Sequence, residues 1–213
     1  MSQRTTVHVM RHGEVYNPTK ILYGRLPGFR LSALGEQMAQ RAGEYFSEKD
    51  IAYVVASPLE RAQQTATPVA QVHGLQLHSD LNLIEADNVF EGERVSVGDG
   101  VLRSPSTWKH LWNPFRPSWG EPYVDIAARM RVAIEAARDA ARGREAVCVS
   151  HQLPIWVARL DAEKRMFMHD PRKRQCNLAS VTSFIYDDNT LVAVTYAEPA
   201  ADLVEISTRG VGA

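Results

Sequence analysis

The sequence predicts a single α/β domain spanning residues 1–213, a three-layer α/β/α sandwich around a mostly parallel central sheet. Three observations predict it. Short apolar runs alternate with segments of helical periodicity along most of the chain, the pattern of strands joined by helices that cover both sheet faces. Several of these runs stop abruptly at polar residues, as strands do where they hand over to a loop. The length of 213 residues suits one hydrophobic core.

The elements follow in order. Val7 to Met10 is a short apolar run that ends at Arg11-His12-Gly13-Glu14, a strand followed by a loop. Ser32 has the character of an N-cap, and after it Leu34, Met38, Ala42, Tyr45 and Phe46 share one helical face. Ile51 to Ala56 is a second strand, stopped by Ser57-Pro58, with a helix expected from Leu59 to about Val72. Leu75 to Leu83 reads as a weaker strand or extended segment. Residues 87–120 carry glycine, proline, Trp108, Trp112 and Trp119 with little periodicity, and read as an excursion from the core. Ile126, Met130, Ala133, Ile134 and Ala137 mark an amphipathic helix. Ala146 to Val149 is a strand stopped by Ser150-His151, with a helix soon after. Val181 to Tyr186 and Leu191 to Tyr196 read as two late strands, and the tail after Glu198 as frayed.

Bulk composition excludes several function classes. The net charge is −1 with histidine neutral, so no basic field exists to hold nucleic acid or an anionic membrane surface. No apolar stretch approaches a membrane span, and the polar Met1 to Thr6 segment does not read as a signal peptide. Cys148 and Cys176 lie in no C-x-x-C or zinc-type pattern and read as reduced, buried thiols of a cytoplasmic protein.

The polar residues at the strand ends carry the functional argument. In open α/β sheets, ligands bind at the carboxyl ends of the strands. Three strands would therefore deliver Arg11-His12, Ser57 with Arg61, and Ser150-His151 to one place, with Glu85 following the third extended segment. Guanidinium forks match phosphate oxygens, and their charge does not titrate away. Phosphate-monoester hydrolysis needs up to roughly 10²¹-fold acceleration, much of it electrostatic. Metal ions often supply that, but no carboxylate cluster suited to one is evident, so no metal or other cofactor is expected. Neighbouring arginines would hold His12 neutral and nucleophilic. Glu85 would protonate the leaving oxygen, with Glu91 or Glu121 as alternative acids.

These residues resemble a known family. Arg11-His12-Gly13-Glu14 resembles the R-H-G-E signature of the histidine phosphatase superfamily, which includes the phosphoglycerate mutases. Ser57-Pro58-Leu59-Glu60-Arg61-Ala62-Gln63-Gln64-Thr65-Ala66, Leu83-Ile84-Glu85 with Glu91-Gly92, Gly120-Glu121 with Asp125 and Arg129, and Val149-Ser150-His151 are similar to its later segments, in order. The resemblance runs from residue 7 to about 186 and implies a phosphoglycerate mutase-like fold. It also implies that His12 accepts the phosphoryl group, that Arg11, Arg61 and His151 hold its oxygens, and that Glu85 is the acid and later the base.

Some positions depart from the family pattern. Asn17 arrives one residue early for its usual place as a phosphate ligand. The loop Gly24-Arg25-Leu26-Pro27-Gly28-Phe29-Arg30-Leu31 lacks the usual aspartate and is one residue longer, which makes Arg25 a candidate substrate contact. Asn88 and Gln152 stand where glycine is common, and Gln152 joins Asn17 and Arg25 as a candidate substrate-binding residue.

The function expected is a metal-independent phosphatase acting on a phosphomonoester of a small metabolite through phosphohistidine on His12. The alternatives are a phosphoglycerate-mutase-type phosphotransferase and a non-catalytic phospholigand-binding protein. The partner expected is therefore a small phosphorylated metabolite, with neither nucleic acid nor a membrane. The oligomeric state is open, with a homodimer as one form the sequence allows. The basic run Arg172-Lys173-Arg174 reads first as a solvated loop and second as an attractor of anionic substrate.

Overall fold

The computed structural model describes residues 3–93 and 120–207. The excursion expected at 87–120, with Trp108, Trp112 and Trp119, lies mostly outside the described residues. Its two roots are described, and they meet: Asn88 and Gly120 form an antiparallel bridge.

Among the described residues the six strands are β1 (Arg4–Arg11), β2 (Ile51–Ala56), β3 (Leu77–Ser79), β4 (Glu145–Ser150), β5 (Val181–Asp187) and β6 (Thr190–Ala197). They form one sheet in the order β3-β2-β4-β1-β5-β6. The β3–β2, β2–β4 and β4–β1 pairs are parallel, while β1–β5 and β5–β6 are antiparallel. The β5–β6 pairing has a local cause. β5 and β6 are joined through Asp188, whose φ of 53° is a left-handed turn conformation that aspartate tolerates. The parallel strands are instead connected through helices, as a crossover requires.

The helices are α1 (Ala33–Phe46), α2 (Glu60–Val72), α3 (Tyr123–Ala140), α4 (Gln152–Ala162) and a short α5 (Ala201–Val204). Ser32 caps α1 as its sequence suggests, its side chain accepting from the Gly35 amide. Met38, Ala42 and Phe46 of α1 and Ala62, Ala66 and Val69 of α2 pack with Met10, Val54 and Val149 on one face of the sheet. On the other face, Ile126, Met130 and Ala133 of α3 and Ile155 and Val157 of α4 pack with Val7, Val9 and Cys148. The layers are therefore helix, sheet, helix. Both cysteines are free and buried. No helix among the described residues is long and apolar enough to cross a membrane.

Two local expectations change. Leu75 to Leu83 yields only the three-residue β3, followed by a 3₁₀ turn at Leu81–Leu83, where the Asp80 side chain accepts from the Asn82 amide. The chain after Glu198 is not frayed at its start. Ala200 is fully buried in the α1/α2 core, and α5 follows it.

The register decides where the site forms. Arg11 of β1 lies opposite Ser150 of β4, and Ala56 of β2 lies opposite Val149. The ladder continues one residue past each strand. The His12 amide donates to the Ser150 carbonyl at 3.1 Å, and the Ser57 amide donates to the Val149 carbonyl at 2.9 Å. Three strand ends thus present Arg11-His12, Ser57 and Ser150-His151 side by side.

Candidate active site

His12 and His151 are fully buried, with ring centroids 5.1 Å apart. The His12 Nδ1–H donates to the Gly13 carbonyl at 2.8 Å, which leaves the lone pair on Nε2. Burial, and then the charges of Arg61 and Arg11, push the His12 pKa well below its ordinary value, so the ring is neutral. His151 is shifted the same way, by burial first and then by Arg61. The Ser57 hydroxyl accepts from the Leu59 amide at 3.4 Å and lies 2.8 Å from His151 Nε2. The network is satisfied if that hydroxyl donates to Nε2, which makes His151 Nδ1 the N–H donor.

Gly13 must be glycine because the chain turns tightly against the start of α1. A Cβ there would stand 2.7 Å from the Gly35 carbonyl oxygen. The Gly13 amide donates to Thr65 Oγ1 at 3.1 Å, and the Thr65 hydroxyl donates to the Arg61 carbonyl at 2.7 Å. The loop after β1 is thereby tied to α2, which carries Arg61.

Arg61 is buried, and its Nη2 donates to the Gly24 carbonyl at 2.6 Å. Its guanidinium lies over the Tyr23 ring, 4.7 Å from the centroid. Such a face holds a cation without neutralising it. Arg11 is anchored through Nη1 to the Cys176 carbonyl at 2.8 Å.

Glu85 is buried, with Oε1 accepting from the Ala86 amide at 2.8 Å. Burial raises its pKa above the ordinary carboxylate range, against the smaller pull of that amide and the nearby arginines. The segment before it is held tightly. Ser150 Oγ donates to the Leu83 carbonyl at 2.7 Å, and Arg129 Nη1 donates to the Asn82 and Ile84 carbonyls, each at 2.7 Å. Arg25 Nε donates to the Glu85 carbonyl itself at 2.7 Å.

Nine buried side-chain polar atoms lack a hydrogen-bond partner among the described residues, and five of them are Arg11 Nε, His12 Nε2, Arg61 Nε, Glu85 Oε2 and His151 Nδ1. Buried polar atoms are rarely left unpaired, and such a concentration at one place marks a site built for a polar ligand. Three are donors, one is a nucleophilic lone pair, and one belongs to a carboxyl group.

The other sequence candidates divide. Glu121 is engaged by both Arg25 and Arg129, at 3.0 and 2.7 Å, and Glu91 Oε1 accepts from the Arg25 amide at 2.7 Å. Glu85 alone of the three candidate acids combines burial with an unpartnered buried oxygen. Arg25 reaches the site through the Glu85 backbone. Gln152 shares the Cys176 carbonyl with Arg11, at 3.4 Å. Asn17 is committed to its own loop, donating to the Ile21 carbonyl at 2.8 Å and accepting from the Ile21 amide at 3.2 Å.

Tyr23 escaped the sequence reading, and Arg174 entered it only as one member of a basic run. Tyr23 has only the pattern of a buried aromatic, and its role under Arg61 appears only in three dimensions. Arg174 was grouped with an exposed basic run. Arg172 and Lys173 are indeed exposed, but Arg174 is half-buried and lines the cleft beside Glu85.

The histidine phosphatase superfamily (branch 1) profile matches residues 7–199. The chain belongs to the histidine phosphatase superfamily. An uncharacterized protein of Mycobacterium tuberculosis is 57% identical over 201 residues, covering 94% of this chain and all of that protein. A probable phosphoglycerate mutase GpmB of Escherichia coli is 28% identical over 193 residues, covering 82% of this chain and 83% of that protein. Among solved structures, a mycobacterial glucosyl-3-phosphoglycerate phosphatase superposes with a TM-score of 0.71 at 24% identity, covering 92% of this chain and 97% of that one. That last likeness is one of fold. The superfamily's members here include both phosphatase-like and mutase-like relatives.

Proposed function

We propose that this protein is a metal-independent phosphatase that hydrolyses a phosphomonoester of a small metabolite through a phosphohistidine on His12. The observation that carries the reading is the set of unpartnered buried atoms around His12 Nε2. Arg11 Nε, Arg61 Nε and His151 Nδ1 are donors suited to the oxygens of a tetrahedral anion. Their positive charge would offset the charge that develops on the transferring phosphoryl group.

The two steps consume only the phosphomonoester and one water. His12 Nε2 attacks phosphorus, the ester P–O bond breaks, and the Glu85 carboxyl gives its proton to the leaving oxygen. Water then attacks the phosphohistidine and gives a proton to the Glu85 carboxylate. The P–N bond breaks, and His12 is again neutral. The depressed pKa of His12 suits an unprotonated nucleophile, and the raised pKa of Glu85 suits a general acid.

Release of phosphate from an aryl phosphate in the presence of EDTA tests the reading. It predicts turnover that His12→Asn abolishes. Isomerisation of phosphoglycerate with little phosphate release would favour the phosphotransferase suggested by the GpmB relative. Phosphate-dependent thermal stabilisation without any turnover would favour a non-catalytic phospholigand-binding protein.

A further inference from the structure

We propose that Arg174 is a specificity-determining residue that binds a carboxylate on the leaving group of the substrate. The proposal rests on the phosphatase reading for the word substrate, but its geometry stands apart from His12.

Arg174 follows the short 3₁₀ turn Pro171–Lys173 and borders the cleft that also holds Glu85, Asn88, Tyr123 and Leu153. If Glu85 protonates the leaving oxygen, the leaving group extends into that cleft. Arg25 and Arg129 both ion-pair with Glu121, which borders the same cleft. The neighbouring Arg172 is exposed and paired with Asp170 at 2.9 Å. Arg174 differs from all three. Its Nε donates to His169 Nε2 at 2.8 Å and its Nη1 donates to Gln152 Oε1 at 3.4 Å, both uncharged acceptors. Among the described residues no carboxylate pairs with it, and its Nη2 makes no hydrogen bond.

The support for Arg174 is fixed by a second bond. His169 Nδ1–H donates to the Phe167 carbonyl at 2.6 Å, so its Nε2 lone pair faces Arg174. Burial keeps His169 below its ordinary pKa, against the Phe167 bond that raises it, and Arg174 lowers it further. The guanidinium is therefore oriented by neutral groups and keeps its charge for another ligand. A half-buried cation without a counterion carries a desolvation cost that an incoming anion offsets. Glu85 borders the same cleft, but it makes neither an ion pair nor a hydrogen bond with Arg174. A carboxylate matches one guanidinium in charge and geometry. A second phosphate dianion would carry twice the charge of the one guanidinium and would face Asp87, which borders the same cleft.

Titration calorimetry with phosphonopropionate and ethylphosphonate tests the proposal, since neither can be hydrolysed. Wild-type protein is expected to bind the carboxylated phosphonate about 10- to 100-fold more tightly, the range for a hydrogen bond to a charged group. Arg174→Gln should abolish that preference and leave ethylphosphonate binding unchanged, which also reports an intact fold. Arg174→Lys should restore part of the preference. Equal affinities in the wild type, or a preference that survives Arg174→Gln, would overturn the proposal. Hydrolysis of aryl phosphates by a wild type that shows no carboxylate preference removes this inference alone. An Arg174-dependent preference in a protein without turnover removes the phosphatase reading alone. Failure to bind either phosphonate removes both.

Discussion

Replacing Glu85 by glutamine isolates the proton that the leaving group needs. The substitution is mild for the fold. Glutamine keeps the oxygen that accepts from the Ala86 amide at 2.8 Å, and it puts an uncharged group where burial already disfavours the carboxylate. Stability should therefore change by no more than about 1 kcal/mol. Catalysis should change far more. General acid catalysis is worth about 10²- to 10⁴-fold, or roughly 3–5 kcal/mol of barrier. That loss should fall on esters of aliphatic alcohols, whose alkoxides leave poorly without a proton. A nitrophenyl ester needs little protonation, so its P–O bond should still break at a rate near wild type. Hydrolysis of the phosphohistidine also uses Glu85, so the variant should stall after one turnover. Rapid-quench kinetics with nitrophenyl phosphate should then show a burst of nitrophenolate close to one equivalent per site. An equal loss on both ester types with no burst would refute the assignment of Glu85 as the proton donor.

Three further outcomes follow from the same geometry. The pH profile of kcat/KM should rise through the pKa of His12, below about 6.5, and fall through that of Glu85, above the ordinary carboxylate range, and Glu85→Gln should remove the alkaline limb. Because His12 and His151 are both held neutral in the folded protein, the stability this confers is present above about pH 6.5 and is lost as pH falls toward their folded pKa values, a slope that His12→Asn should flatten in thermal melts against pH. Arg129→Met should strip the Asn82 and Ile84 carbonyls of their donor and leave Glu121 short of a partner, lowering stability by about 1–3 kcal/mol in denaturant titrations and reducing kcat as Glu85 loosens.

Much of the candidate site was legible because Arg11-His12, Ser57 and Ser150-His151 sit at strand ends, and strand ends announce themselves. The apolar run that builds β1 stops at Arg11-His12, and the run that builds β4 stops at Ser150-His151. Parallel pairing then has little choice but to place them together. The parts that the sequence left open depend on contacts between side chains of different segments. Tyr23 matters only because Arg61, on α2, comes to lie on its ring. Arg174 differs from Arg172 and Lys173 only because His169 and Gln152 turn it inward. Asn17 shows the opposite effect. Its loop is shaped so that both ends of its amide are satisfied by Ile21, a local arrangement that a family pattern shifted by one residue does not announce. The short β3 has a similar local origin, in the turn that Asp80 initiates.

The central claim is a covalent bond between phosphorus and one imidazole nitrogen. Protein quenched during turnover in alkali, digested and analysed by mass spectrometry tests it directly. A single phosphoryl group should appear on the peptide that contains His12, labile to acid, more abundant in Glu85→Gln and absent in His12→Asn. Turnover with no phosphorylated peptide, or with the phosphoryl group on another residue, would contradict the account.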